Sequence, residues 1–466
     1  MASLLKLINL KVAIYLLMPF RRYFSFLFLS VFMITSCFSQ SKYEIKNKKG
    51  TDKIKFQLIN NVIVIPIEVN GVPLSFLLDT GVSRPIVFNF LKASDSLEIL
   101  NAERIYLKGL GNDGHVEALK SSKNEFRIGA AVNNNQSFYV VFDSSINFAP
   151  RLGIPIHGII GYDIFKDFVV EINYRNKYIK LTEPEKYKQR SCKKCEDYNL
   201  EFYNNKPYFN VEGVVNNKVI PIKLLIDSGS SDALWLFEND SIGLTIGDNY
   251  FKDFLGYGLS GVVHGKRSKI DEIKLNSFRL KKTKVAFPDS TIIATIKKIK
   301  GRNGSIGGEI LKRFNVTMNY GKSKMILKKN ANFKAPFSYN KSGIQLEHDG
   351  VRLVTEINNV PTSSSVNVKR NTIQVQAVVA AKSKFVIKPA YSIGSIRPGS
   401  PAERVGLKKG DVLVSFNGKE TKSYSLQEIM SRFYGEEGKR IRLVVERNGI
   451  PIKVTFHLES LLKNKK

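Results

Sequence analysis

From about residue 54 onward the chain is written in short apolar alternations, each ended by a turn signal. Val62-Ile63-Val64-Ile65 and Ile67-Glu68-Val69 run into Asn70-Gly71, the spacing of strands joined by hairpins. Few stretches hold a 3.6-residue apolar period. Ser425 to Tyr434 is one that does: Leu426, Ile429, Met430 and Phe433 share a helical face behind Ser425 as N-cap. Ile441-Leu443-Val445 then alternates as a strand, and Asn448-Gly449 turns the chain into Ile452-Val454-Phe456. The pattern predicts a mainly β protein with a small α+β segment at its end.

One stretch occurs twice. Leu77-Leu78-Asp79-Thr80-Gly81 and Leu225-Ile226-Asp227-Ser228-Gly229 are each an apolar run closed by Asp, a small hydroxyl residue and Gly. A second landmark follows each: Gly158-Ile159-Ile160-Gly161, then Gly304-Ser305-Ile306-Gly307. Both landmarks continue as strands, Val169 to Tyr174 and Asn315 to Tyr320. The two Asp are 148 positions apart and the two closing Gly 146. Nearly equal offsets at two landmarks mark an internal duplication. Between the landmarks each copy carries a glycine-rich turn. One holds Gly109, Gly111 and Gly114, the other Gly256, Tyr257 and Gly258.

Length and charge add bounds. A chain of 466 residues is too long for one core, so two to four domains are expected. The net charge of +31 suits a polyanionic partner or a solvated basic surface. The lysines are spread along the chain and no nucleic-acid motif accompanies them, so no nucleic acid is expected. Arg21-Arg22, the apolar run Phe24 to Ile34 and small residues up to Cys37 form a signal segment, with Met18 as a compact start. Ile34-Thr35-Ser36-Cys37 resembles a bacterial lipobox, which makes Cys37 a lipidation site; ordinary cleavage near Ser39-Gln40 is the alternative. The exported chain is expected in the periplasm or at the outer membrane, or secreted. Cys192 and Cys195 then remain, as a local disulfide or, less favourably, a metal site.

A carboxylate at the end of a buried strand needs a reason, because an unpaired buried charge is costly. One Asp alone would serve as a turn cap. Two brought together cannot both ionise easily, so they share a proton. One member then takes a proton from an attacking water while the other donates to the oxyanion. Thr80 and Ser228 can bond across such a pair, and Gly81 and Gly229 let backbone N–H groups approach it.

These motifs resemble the two-part signature of aspartic proteases of the retropepsin and pepsin kind, over roughly residues 55–330. The resemblance implies two pseudo-symmetric β lobes, at 54–183 and 200–330, with a linker at 184–199 and a tether at 41–53 after the signal at 1–40. It implies an Asp79–Asp227 dyad and β-hairpin flaps at the glycine-rich turns. Gly399-Ser400-Pro401-Ala402 with Gly406-Leu407 and Gly410-Asp411 resembles a PDZ domain, at 338–460 with an insertion near 351–391. That resemblance implies peptide binding, often at a C-terminus, with Ser342, Gly343, Ile344 and Gln345 as the loop that holds the carboxylate. The whole reads as an aspartic-type endopeptidase of the cell envelope, with polypeptide substrates, attachment to the membrane through the N-terminus, and no need of a metal or other cofactor. The rival is a catalytically silent peptide-binding scaffold on the same fold.

Overall fold

Residues 41–88, 97, 99–108, 115–142, 147–258, 261–289, 301–358 and 382–462 are described by a computed structural model. The signal segment with Cys37, and the turn with Gly109, Gly111 and Gly114, lie outside them. The protein is mainly β, and among the described residues its strands form four sheets.

The first sheet follows from the alternation. In Val62–Val69 the side chains of Ile63, Ile65, Ile67 and Val69 are buried, while Pro66 and Glu68 face outward. Asn70 (φ 49) and Gly71 (φ 81) make the left-handed turn into the antiparallel strand Val72–Leu78. Gly158–Ile160 then lies parallel to that strand, with Ile159 opposite Leu77. The second lobe repeats the plan. Lys206–Val215 pairs with Lys218–Ile226 through Asn216-Asn217, and Arg302–Ile306 lies parallel with Ser305 opposite Leu225.

A six-stranded sheet unites the lobes. At its centre Val169–Asn173 pairs with Phe314–Asn319, so Val170 faces Met318 and Ile172 faces Val316. Thr51–Lys55 closes one edge against Tyr178–Thr182, and Cys195–Asn199 closes the other against Lys324–Lys329. This corrects two boundaries. Residues 41–53, expected as a tether, hold the strand Glu44–Ile45 and the start of Thr51–Lys55, with Tyr43 and Ile45 buried. The expected linker 184–199 ends in the edge strand Cys195–Asn199, next to the Cys192–Cys195 disulfide.

The C-terminal domain has its own core, with Ile344, Leu346, Ile393, Leu413, Phe416, Ile429 and Phe433 buried together. Its helix Leu426–Arg432 begins with a capping box, in which Ser425 and Glu428 satisfy each other's backbone N–H groups. Of the stretch 351–391, residues 351–358 and 382–391 belong to two long antiparallel strands, Ile344–Asn358 and Lys382–Ile396. Residues 359–381 between them lie outside the described part.

Candidate active site

Asp79 and Asp227 stand at equivalent ends of equivalent strands. Asp79 N–H donates to Ile160 O (2.8 Å) and Asp227 N–H donates to Ile306 O (2.9 Å). Each Asp is thus held by the last residue of the parallel strand beside it, which explains why the Ile-Gly landmark recurs at nearly the same offset. Gly161 allows this approach, since a Cβ there would overlap Asp79's own carbonyl.

The two loops clasp each other across the lobes. Thr80 N–H donates to Ser228 Oγ (3.0 Å), and Ser228 N–H donates to Thr80 Oγ1 (3.0 Å). The hydroxyls pass the bonds on, Thr80 to Ile226 O (2.6 Å) and Ser228 to Leu78 O (2.7 Å). All four bonds are buried, where unsatisfied partners are expensive. Thr80→Val should leave Ser228 N–H and Ile226 O unpaired and lower stability by about 2–4 kcal/mol. Urea unfolding checks this, and a change under about 0.5 kcal/mol would mean the clasp does not join the lobes.

The clasp brings the carboxylates together. A Cβ at Gly81 would touch both, 3.0 Å from Asp79 Oδ1 and 3.7 Å from Asp227 Oδ1. A Cβ at Gly229 would overlap Asp79's carboxylate. Gly81 N–H donates to Asp79 Oδ1 (2.6 Å) and Ser230 N–H to Asp227 Oδ1 (3.0 Å). Burial, and then the charge of Asp227, push Asp79 up to about 7. Burial raises Asp227 as well, against the opposing pull of Arg302 and Lys206.

The dyad lies in one open cleft of about 1850 Å³. Lobe 1 contributes an apolar wall that includes Val62, Leu77, Ile86 and Ile159, whereas Lys206, Tyr208, Trp235 and Arg302 line it from lobe 2. The hairpin of Phe251–Gly258 and Gly261–Leu275 adds Phe254, Leu255, Gly256 and Val262 to the cleft. Tyr257 and Gly258 complete its first strand, opposite Val262 and Gly261. Lys206, Arg302 and Arg267 were not singled out from the sequence. They come from separate strands, and no local pattern unites them.

The C-terminal domain borders the same cleft. Gly343, Ile344 and Gln345 line it, with Ser342 buried beneath. The loop is satisfied internally: Ser342 and Gly343 N–H donate to Asn340 Oδ1 (3.0 and 3.3 Å), and Ile344 N–H to Ser342 Oγ (3.0 Å). This corrects the expectation that these N–H groups stand open for a peptide carboxylate. Lobe 1 also reaches this domain. Arg151 pairs with Glu347 (3.0 Å), and Gln427 Nε2 donates to Leu152 O (2.5 Å).

Comparison with known proteins agrees on both modules. The aspartyl protease family model matches residues 65–164, and a PDZ domain model matches residues 392–447. The chain therefore carries an aspartyl-protease-like domain and a C-terminal PDZ domain. It is 30% identical over 88 residues to the periplasmic pH-dependent serine endoprotease DegQ of Escherichia coli (strain K12), covering 19% of each chain. It is 32% identical over 62 residues to a probable CtpA-like serine protease of Staphylococcus saprophyticus, covering 13% of each. The chain thus spans less than a fifth of the length of either relative.

Proposed function

We propose that this chain is an aspartic-type endopeptidase that cuts exported or envelope polypeptides with water activated by Asp79 and Asp227. The observation that carries this reading is the clasped pair of Asp-Thr-Gly and Asp-Ser-Gly loops, with both carboxylates half-buried at one place in the cleft. A buried pair that shares one proton holds a base and an acid at one place. The ionised member accepts a proton from water as the oxygen attacks the scissile carbonyl. The protonated member donates to the developing oxyanion; as the C–N bond breaks, the carboxyl that took the water's proton passes it to the leaving nitrogen, and the hydroxyl on the tetrahedral carbon returns its proton to the other carboxylate. Thr80 and Ser228 hold the two carboxyls in place, and Gly81 and Gly229 bring backbone N–H groups to them. The hairpin strands Phe251–Gly258 and Gly261–Leu275, which line the cleft, serve as the flap.

The named relatives are serine proteases, but they match only short segments. Among the described residues no serine hydroxyl bonds a histidine; His157, for one, takes the backbone N–H of Ser75. The PDZ domain supports binding of a peptide, a C-terminus in particular, beside the cleft. The signal segment and the periplasmic relative support export, with Cys37 as the anchor.

Two inhibitors test the reading. A statine-type mimic of the tetrahedral intermediate should block cleavage of quenched fluorescent peptides, because it binds the dyad more tightly than substrate does. A serine-directed fluorophosphonate should leave cleavage intact. The reverse result would replace the dyad by a serine nucleophile.

A further inference from the structure

The cleft is not symmetric although the lobes are. Val64 pairs with Leu77 as Tyr208 pairs with Leu225, so the pseudo-two-fold sets Lys206 where lobe 1 has Val62. Gly158 lies beside Phe76 as Gly304 lies beside Leu224, which sets Arg302 where lobe 1 has Ile156. Val62 and Ile156 belong to one buried apolar cluster under the lobe 1 wall. Their lobe 2 counterparts are both cations, partly buried and both lining the cleft.

Arg302 is held in place. Its Nε donates to Gly304 O (3.2 Å), and its guanidinium lies over the rings of Phe237 (5.2 Å) and Tyr208 (5.9 Å). Lys206 lies in the field of both Asp79 and Asp227, and Arg302 in that of Tyr208 and Asp227. With one shared proton the dyad carries a single negative charge, against two positive ones. A partly buried cation without a compensating anion is unfavourable. Beside the dyad itself, therefore, the two cations favour an anion that enters the cleft.

We propose that Lys206 and Arg302 form a subsite for a carboxylate of the substrate, close to the scissile bond, facing the apolar wall of Val62, Leu77, Ile86 and Ile159. The inference rests on the dyad reading above. The planar guanidinium can grip a carboxylate with two parallel bonds, and Lys206 adds a point charge. Two sources carry that chemistry: a Glu or Asp side chain within the peptide, and the carboxylate of a chain end.

Paired peptides test this. Quenched peptides with Glu or Gln at each position within two residues of the cut, each with a free or amidated C-terminus, are turned over by the intact protein and by Lys206→Gln and Arg302→Gln. The wild type should prefer a carboxylate by about 10-fold in kcat/KM, and each variant should bring that ratio toward one. Preference for internal Glu assigns the subsite to a side chain. Preference for the free C-terminus assigns it to a chain end. A ratio within about twofold at every position, or a ratio unchanged in both variants, overturns the subsite and leaves the dyad standing. If no peptide is cut, the dyad reading falls. Anisotropy of the same labelled peptides then decides the subsite, since Glu and Gln peptides of equal affinity would overturn it. Where one variant fails to fold, the other and the wild-type ratio still decide.

Discussion

Asp79→Asn and Asp227→Asn should each reduce peptide cleavage by about 10³-fold or more, with KM little changed. Either substitution leaves the loops clasped, because the clasp uses Thr80, Ser228 and two carbonyls and neither carboxylate. What is lost is the shared proton, and with it both the base and the acid. Near-normal turnover by either variant would end the two-Asp mechanism. The wild type should lose activity as pH rises through about 7, where the pair gives up that proton. Stability should fall in the same direction. Asp79 is raised from 3.8 to about 7, so its ionisation burdens the folded state above pH 7, and the burden vanishes below the unfolded value. Asp79→Asn should therefore be more stable than wild type at pH 8, by about 1–3 kcal/mol. The gap should close near pH 4. Urea midpoints at the two pH values measure this. No gain at pH 8 would mean the carboxylates are not forced together.

The duplication was legible because each landmark is local and both are tied by one hydrogen bond, from the Asp N–H to the Ile carbonyl. The lobes could be paired on that basis before any geometry was known. Residues 41–53 could not be read. Tyr43 and Ile45 alternate over too few positions to signal a strand, and Glu44–Ile45 pairs with residues near 131, far along the chain. The C-terminal loop failed for a different reason. Ser342-Gly343-Ile344 has the composition of an open nest of N–H groups, but Asn340, two residues before it, fills that nest with its own side chain. Lys206 and Arg302 are a third case. Each looks like one more basic residue in a chain of +31, and only strand register sets them at the places that Val62 and Ile156 hold in lobe 1. Local patterns placed the dyad, whereas the walls of the cleft are set by long-range pairing.

Arg267→Met should cost about 3–5 kcal/mol of stability at neutral pH and lower kcat/KM as well. Arg267 joins the flap hairpin to the loop that follows Asp227-Ser228-Gly229. Its Nε donates to Asp253 Oδ2 (2.8 Å) on the hairpin, and its Nη1 to Asp232 Oδ1 (2.8 Å) on the loop. Nη2 reaches Phe254 O (3.4 Å). The side chains of Arg267 and Asp232 are 13% and 15% exposed, so water does little to replace the pair. Burial works against the ionised form of Asp232, yet Arg267 beside it holds its carboxyl below the usual range. Methionine fills the space but removes the cation that bridges the two carboxylates, leaving Asp232 with only Lys284 and the Trp235 N–H, and one broken partner of a buried pair is far more damaging than loss of the whole pair. The deficit should shrink as pH falls, because Asp232, no longer held down by Arg267, then takes up a proton. Arg267→Met with Asp232→Asn should recover part of the stability at pH 7. Since the hairpin is positioned through Asp253, the activity loss should persist in that double variant. Unfolding midpoints with kcat/KM for the two proteins make the check. A loss under about 1 kcal/mol in the single variant would show that the hairpin is held by its strand pairing alone.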